Sequence, residues 1–485
     1  MSGPLTRLAR VEPDPAATSA VCTLRVAAMT TNAPAAAPQP DPVREGLAER
    51  IRAMIAAGVD ADRSPFDKLA LDIFAWQFER NIPYREFCTA KGITPAQVAD
   101  WRQIPAFPTD SFKTAIVTSF PPEQAVMAQI TSGTTANRRG QIFRDDIGRE
   151  LILTANRTMT AAYLFPDFAR GQRCRILILA PSPEMAPSMG MAVGMDETRR
   201  HFGTPDSRFL LDYSGLDIKG MIAAIEESEA TGVPLAMIGS TSAFVYFFNA
   251  CKARGLRFRL PAGSRIGDGG GYRGRFGELT QDDYFRLAVE VLGIPASHCV
   301  NVLGMAESAT NYFDDTLRAA VHGRSSQRRR LTPPWARVAA VGLDDLQPLP
   351  AGEVGLLRHY DLANLPTVLA VQTDNLGYVD HDGSFQIVGR AKLVDGKVTP
   401  LPSERPVGPM GDKRIFRFLE AYVNFSIRFK MGLARARQPA ATTGAVPTSL
   451  PMTPPVCPCD ELSEEMLANP VPRAESATDS SAAVR

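Results

Sequence analysis

No pair of cysteines stands at the spacing of a zinc or redox motif. The seven, at 22, 88, 174, 251, 299, 457 and 459, are scattered, odd in number and free of any C-x-x-C. That argues against a disulfide framework and leaves reduced thiols in a cytoplasmic chain as the plain reading. Histidine is scarce as well, with five residues and no H-x-x-x-H or H-E-x-x-H pair, so a zinc site of that kind is excluded. An excess of charge of one sign is missing: 53 Lys and Arg face 52 Asp and Glu. No global field favours a nucleic-acid partner. Long apolar runs are missing too. The most apolar stretch, VPLAMIGSTSAFVYFFNAC, is broken by Gly239, Ser240, Thr241 and Ser242, and reads as strand, loop and helix rather than as a membrane span. The apolar run near Val21 is short for a signal peptide and carries Arg25.

The full chain of 485 residues, 45% hydrophobic and 22% charged, has ordinary globular composition. Residues 1–42 are rich in Ala, Pro and Thr without apolar period and read as disordered, with Met29 an alternative start. Leu47, Ile51, Met54 and Ile55 recur at helical spacing ahead of Gly58, a C-cap. A second helix over FDKLALDIFAWQFERN buries Leu69, Ile73, Phe74 and Phe78. From about 125 to 390, short strands feed Gly-rich loops and then helices. RCRILILA, PLAMIG, SRIG and HCVNVLG each end in a polar turn. The alternation predicts an α/β core over 43–348 with strand ends converging on one site. Residues 349–391 show β-alternation and Asp-Gly turns and read as a β-rich subdomain. Residues 392–469 read as a short, atypical C-terminal region: linker, basic amphipathic helix and Cys-containing segment. A disordered tail, 470–485, follows.

The stretch MAQITSGTTANRRGQIFRDD places five small residues, Thr131 to Thr135, in one turn, with Arg138 and Arg139 behind them. Backbone N–H groups and hydroxyls in such a turn can wrap phosphate oxygens. The spaced glycines and Gly-Lys-Ser/Thr ending of a Walker A loop are absent, and the same composition also suits a solvated turn.

Three further motifs follow in order. TSGTT resembles the phosphate-binding motif of the acyl-adenylate-forming superfamily. DGGGYRG (268–274) resembles its adenine-pocket segment, LGMAES (303–308) its Tyr-Gly-Met-Thr-Glu motif, and QTDNLGYVDHDGSFQIVGR (372–390) its Thr-x-Asp to Gly-Arg motif. IPYREFCTAKGITPAQVADWRQIPAFPTDSFK (82–113), YDLANLPTVLAVQTDNLG and GRA narrow the resemblance to the acyl-protein synthetases of LuxE type, short cousins of phenylacetate–CoA ligases, over about 65 to 391. The resemblance implies the N-terminal domain of an adenylate-forming enzyme. Its expected activity is ATP-dependent activation of a fatty acid as acyl-AMP, with transfer to a cysteine and on to an acyl-reductase partner. Thr131, Ser132, Gly133, Thr134 and Thr135 would then hold the ATP phosphates, Gly269 and Gly270 would line the adenine pocket, Glu307 would hold Mg2+, and Asp374, backed by Arg390, would take the ribose hydroxyls. Two departures stand out: Ala136 replaces a Gly, and Ala306 replaces the Thr of the Glu motif.

The family's acyl-accepting Cys is expected soon after Gly-Arg-Ala, where this chain has none. VCPCDELSEEMLA resembles that context further on, which makes Cys457 and Cys459 the candidate acceptors. A helix dipole there would activate a thiol, while Asp460 and Glu461 would oppose it. Residues 413–437 join basic and apolar faces, the pattern of a helix packed on the core or of one resting on an anionic membrane surface. Two other readings stay open: an acyl-CoA ligase of the phenylacetate–CoA ligase type, and an inactive scaffold that binds nucleotide or acyl group.

Overall fold

The helical spacing near the start of the ordered chain is realised as Pro42–Ala57, which buries Leu47, Ile51, Met54 and Ile55 and ends before Gly58. In this computed structural model the described residues are 41–131, 140–212, 215–270, 280–394 and 397–400. The expectations for residues 1–40, Ser132 to Arg139, 271–274, the segment 413–437, Cys457 and Cys459 lie outside them. The second helix, Phe66–Arg80, buries Leu69, Ile73 and Phe74 as expected. Phe78 is only half-buried, and Trp76 and Gln77 are the residues that turn inward. Gln77 and Asn81 make this region structural support for a distant turn. Gln77 Nε2 donates to the carbonyls of Asn364 (3.1 Å) and Leu365 (2.9 Å), its Oε1 accepts from Leu369 N–H (2.9 Å), and Asn81 Nδ2 donates to Thr367 O (2.9 Å).

Four apolar segments become a parallel sheet. Its order is Tyr312–Phe313, Cys299–Leu303, Arg265–Gly269, Leu235–Ser240, Arg175–Leu179 and Arg208–Phe209, and the first pairing alone is antiparallel. The two-residue period of a strand splits its side chains between two faces. Leu177, Leu179, Leu235 and Met237 pack on one side with Phe244, Phe247, Phe248, Tyr284 and Phe285 from the helices Thr241–Ala253 and Gln281–Leu292. Ile176, Ile178, Ala236 and Ile238 pack on the other with Leu151, Ile152, Ala155 and Met159 from the helix Asp146–Tyr163. Each fully buried aromatic or large aliphatic side chain contributes about 1.5–3 kcal/mol, so both faces of this sheet add to stability.

A second sheet runs Ala336–Val341, Gly355–Asp361, Ala370–Val379, Phe385–Val394 and Lys397–Pro400, each strand antiparallel to the next. Phe107–Pro108 joins it in parallel beside Ala370–Val379. The sheet therefore begins ahead of residue 349 and recruits a strand from near 107, a long-range pairing that no local pattern announces.

Candidate active site

Parallel strands leave their carboxyl ends at one edge, and loops leaving that edge are where α/β sheets bind ligands. Here Leu179, Ser240, Gly269 and Leu303 end there. Over the edge lies a hairpin, Met127–Ile130 paired with Gln141–Arg144. Ile130 N–H donates to Ser188 O (3.0 Å), which ties the hairpin to the loop after Leu179. The approach is close: a Cβ on Gly190 would lie 2.6 Å from Gln129 Nε2. Thr131 and Gly140 close the hairpin's neck. Thr131 N–H donates to Gly140 O (3.0 Å), and Gly140 N–H donates to Thr131 Oγ1 (2.9 Å). Of the five residues expected to hold phosphate, Thr131 is described, half-buried, at the start of the loop.

Glu307 sits in the turn after Cys299–Leu303. Burial pushes its carboxyl above the ordinary range; its own backbone N–H pulls it back. Facing Asp374 pushes the same way as burial, while Lys113 and Arg144 favour the charge. The turn brings Glu307, Asp374 and Lys113 into one electrostatic neighbourhood. Asp374 lies in Ala370–Val379 and is exposed, and Arg390, also exposed, pairs with its neighbour Asn375 across the sheet. Gly269 ends its strand, and Gly270 follows at φ +117°, a conformation glycine tolerates best. Asn301 Nδ2 holds that turn by donating to Gly270 O (3.3 Å) and Asp268 Oδ2 (3.0 Å), and Thr241 Oγ1 donates to the same carboxylate (2.6 Å).

Several residues here were not singled out from the sequence. Asp361, fully buried, accepts from Ser308 Oγ (2.9 Å), Thr310 N–H (2.7 Å), Thr310 Oγ1 (3.1 Å) and Ala363 N–H (3.1 Å). Burial raises its carboxyl, and those donors lower it. Asn364 Nδ2 donates to Glu307 O (2.8 Å). Arg144 reaches the same turn, and burial lowers its guanidinium to about 10, so it remains charged at neutral pH. Lys113, at the end of Thr109–Lys113, is half-buried beside Asp110 (2.6 Å). These residues lie inside SFK, QIFRDD and YDLANLP, where the signal was their position within motif-bearing segments rather than any pattern of their own.

Among the described residues no His, Cys, Asp or Glu cluster could hold a metal alone, and no helix is long and apolar enough to cross a membrane. The described cysteines, 88, 174, 251 and 299, are poor nucleophiles. Burial raises Cys88 to about 12, Cys174 and Cys251 to about 11, and Cys299 further still.

The model of the acyl-protein synthetase (LuxE) family matches residues 55–399. The long-chain-fatty-acid–luciferin-component ligase of Vibrio harveyi is 23% identical over 336 residues, 67% of this chain and 83% of that one. That of Aliivibrio fischeri is 22% identical over 316 residues, 64% of this chain and 79% of that one. In fold, the chain resembles a 2-hydroxyisobutyryl-CoA ligase solved in the postadenylation state, with a TM-score of 0.51 at 12% identity, covering 71% of this chain and 72% of that one. With the family model matching most of its length, the chain belongs to the acyl-protein synthetase (LuxE) family of adenylate-forming ligases.

Proposed function

We propose that the protein activates a fatty acid with ATP as acyl-AMP and passes the acyl group to a thiol. The observation that carries this reading is the Thr131–Gly140 neck at the carboxyl edge of the parallel sheet, with Glu307 in the turn after Cys299–Leu303 and Asp374 and Lys113 near enough to act on its charge. In the first step a carboxylate oxygen of the acid attacks the α-phosphorus of ATP, the bond to pyrophosphate breaks, and acyl-AMP forms. Thr131 and the residues after it would donate to phosphate oxygens, and Lys113 would add a further cation beside them. Asp374, exposed on its strand, is suited to accept from both ribose hydroxyls, with Arg390 across from the adjacent Asn375, and the turn at Gly269 and Gly270 would admit adenine.

Magnesium in nucleotide sites takes one or two carboxylates and completes its shell with phosphate oxygens and water. Glu307 fits that part, because burial and facing Asp374 both oppose its charge and a cation would relieve both. Bound there, Mg2+ would neutralise charge on the phosphates.

In the second step a thiolate attacks the acyl carbonyl and AMP leaves. With the four described cysteines buried or half-buried and raised, the acceptor is sought in Cys457, Cys459, the thiol of a partner protein such as an acyl reductase, or CoA. Fatty acid carrying a radiolabel, incubated with Mg2+-ATP with and without CoA, tests this, with the protein resolved on a denaturing gel and the soluble products by chromatography. Hydroxylamine-sensitive label on protein supports a protein acceptor, and acyl-CoA formation without protein label supports the CoA ligase reading.

A further inference from the structure

Arg144 is fully buried, and no carboxylate oxygen lies within 4 Å of its guanidinium among the described residues. An arginine placed so is expensive to desolvate, and a methionine would fill similar space without that penalty. What it joins explains its presence. Its Nε donates to Gln129 Oε1 (3.1 Å), two residues before the neck at Thr131. One terminal nitrogen donates to Asn364 Oδ1 (3.3 Å), and the other to Ala306 O (3.0 Å) and Ser308 O (3.5 Å). Asn364 itself donates to Glu307 O. The carbonyls of 306, 307 and 308 are therefore held by two side chains that are bonded to each other. One of those side chains, that of Arg144, belongs to the hairpin itself and is bonded across it to Gln129. Asp361 and Glu307 supply the compensating field.

We propose that Arg144 is a positioning residue for adenylation: its planar fork sets the spacing between the hairpin that leads into the phosphate loop and the turn that presents Glu307. Lysine would keep the charge and lose the fork, so the two are not interchangeable here. This inference rests on the roles proposed for Thr131 to Thr135 and Glu307. If the bracket sets that spacing, breaking it should leave ATP contacts with loop and ribose intact and weaken the joint grip of loop and Glu307 on Mg2+-ATP.

The test compares the full chain with Gln129→Met, which removes the bond that orients the Arg144 fork from the facing strand of the hairpin, and with Arg144→Lys. ATP affinity is measured by calorimetry in EDTA and again with Mg2+, alongside thermal melting and fatty-acid-dependent pyrophosphate exchange. Both variants should bind ATP in EDTA within about twofold of the parent, lose about tenfold of the Mg2+ enhancement, and lose about tenfold in kcat for exchange with KM for ATP changed less. Gln129→Met touches no backbone carbonyl of the Glu307 turn, so it keeps the test open should Arg144→Lys fail to fold. Lower melting temperatures with the Mg2+ enhancement and kcat of the parent would overturn the inference and leave Arg144 a core residue. A parent that binds Mg2+-ATP without exchange would refute the proposed activity, and the Mg2+ enhancement would still decide on Arg144. A parent that does not bind ATP would overturn both.

Discussion

Acid should weaken this fold through one histidine. His359 lies at the centre of Gly355–Asp361, fully buried, with ring centroids of Tyr312 and Phe385 at 5.5 and 5.7 Å. Neither ring nitrogen has a hydrogen-bond partner, and burial lowers its pKa from 6.5 to about 3. The folded state thus refuses a proton that the unfolded chain accepts. A depressed pKa in a base means that stability is intact above 6.5 and is lost as the pH falls from there towards 3. At about 1.4 kcal/mol per pH unit, moving from pH 7.5 to 5 should remove about 2 kcal/mol through this residue. That is a sizeable share of a total stability of about 5–15 kcal/mol. The measurement is urea unfolding of parent and His359→Phe at pH 7.5, 6 and 5. The offset between them at pH 7.5 reports packing; the change of that offset with pH reports the titration. His359→Phe should gain about 2 kcal/mol on the parent between pH 7.5 and 5. Parallel curves across that range would refute the reasoning.

Glu307 should show the opposite sign. Its folded pKa is raised, so its contribution to stability grows as the pH falls towards the ordinary carboxylate range and declines as the pH rises through the raised value. Glu307→Gln should flatten that slope in urea unfolding and abolish pyrophosphate exchange; an unchanged slope would show that the carboxyl is not perturbed by the fold. Asp374→Ala, at an exposed position, should leave the melting temperature within a degree or two and raise KM for ATP about tenfold, measured by exchange kinetics. An unchanged KM would make Asp374 a strand residue only. Changing Cys457 and Cys459 together to Ser should abolish ATP-dependent acyl labelling on gels and spare exchange, and persistent label on the double variant would send the search for the acceptor elsewhere.

The local logic of the chain is legible in its sequence. Leu47, Ile51, Met54 and Ile55 mark a helix face by spacing alone, and four short apolar runs that end in polar turns imply a parallel sheet with its ligand edge. The motif residues Thr131, Gly269, Glu307 and Asp374 can be named because each stands in a segment whose type repeats across a family. What cannot be read there is tertiary. Phe107–Pro108 pairs with a strand more than two hundred residues away, and nothing near it in sequence encodes that partner. Arg144 looks like one more arginine behind a polar loop, and only burial shows that it joins the hairpin to the Glu307 turn. Asp361 and Asn364 sit in a string that resembles the family as a whole. Their work, holding the turn that carries Glu307, depends on contacts across 50 to 60 residues of chain. Phe78 fits a helical period yet stays half-buried, because Gln77 takes the inward position to bond the turn near Asn364.

The central claim is that this edge of the sheet forms an acyl-adenylate. Fatty-acid-dependent exchange of labelled pyrophosphate into ATP tests it most directly, because exchange requires reversible formation of acyl-AMP and nothing after it. Exchange that appears with a long-chain acid and Mg2+ and disappears in Glu307→Gln is the result the account predicts. No exchange with any acid across a range of chain lengths, from a folded protein that still binds ATP, would contradict it.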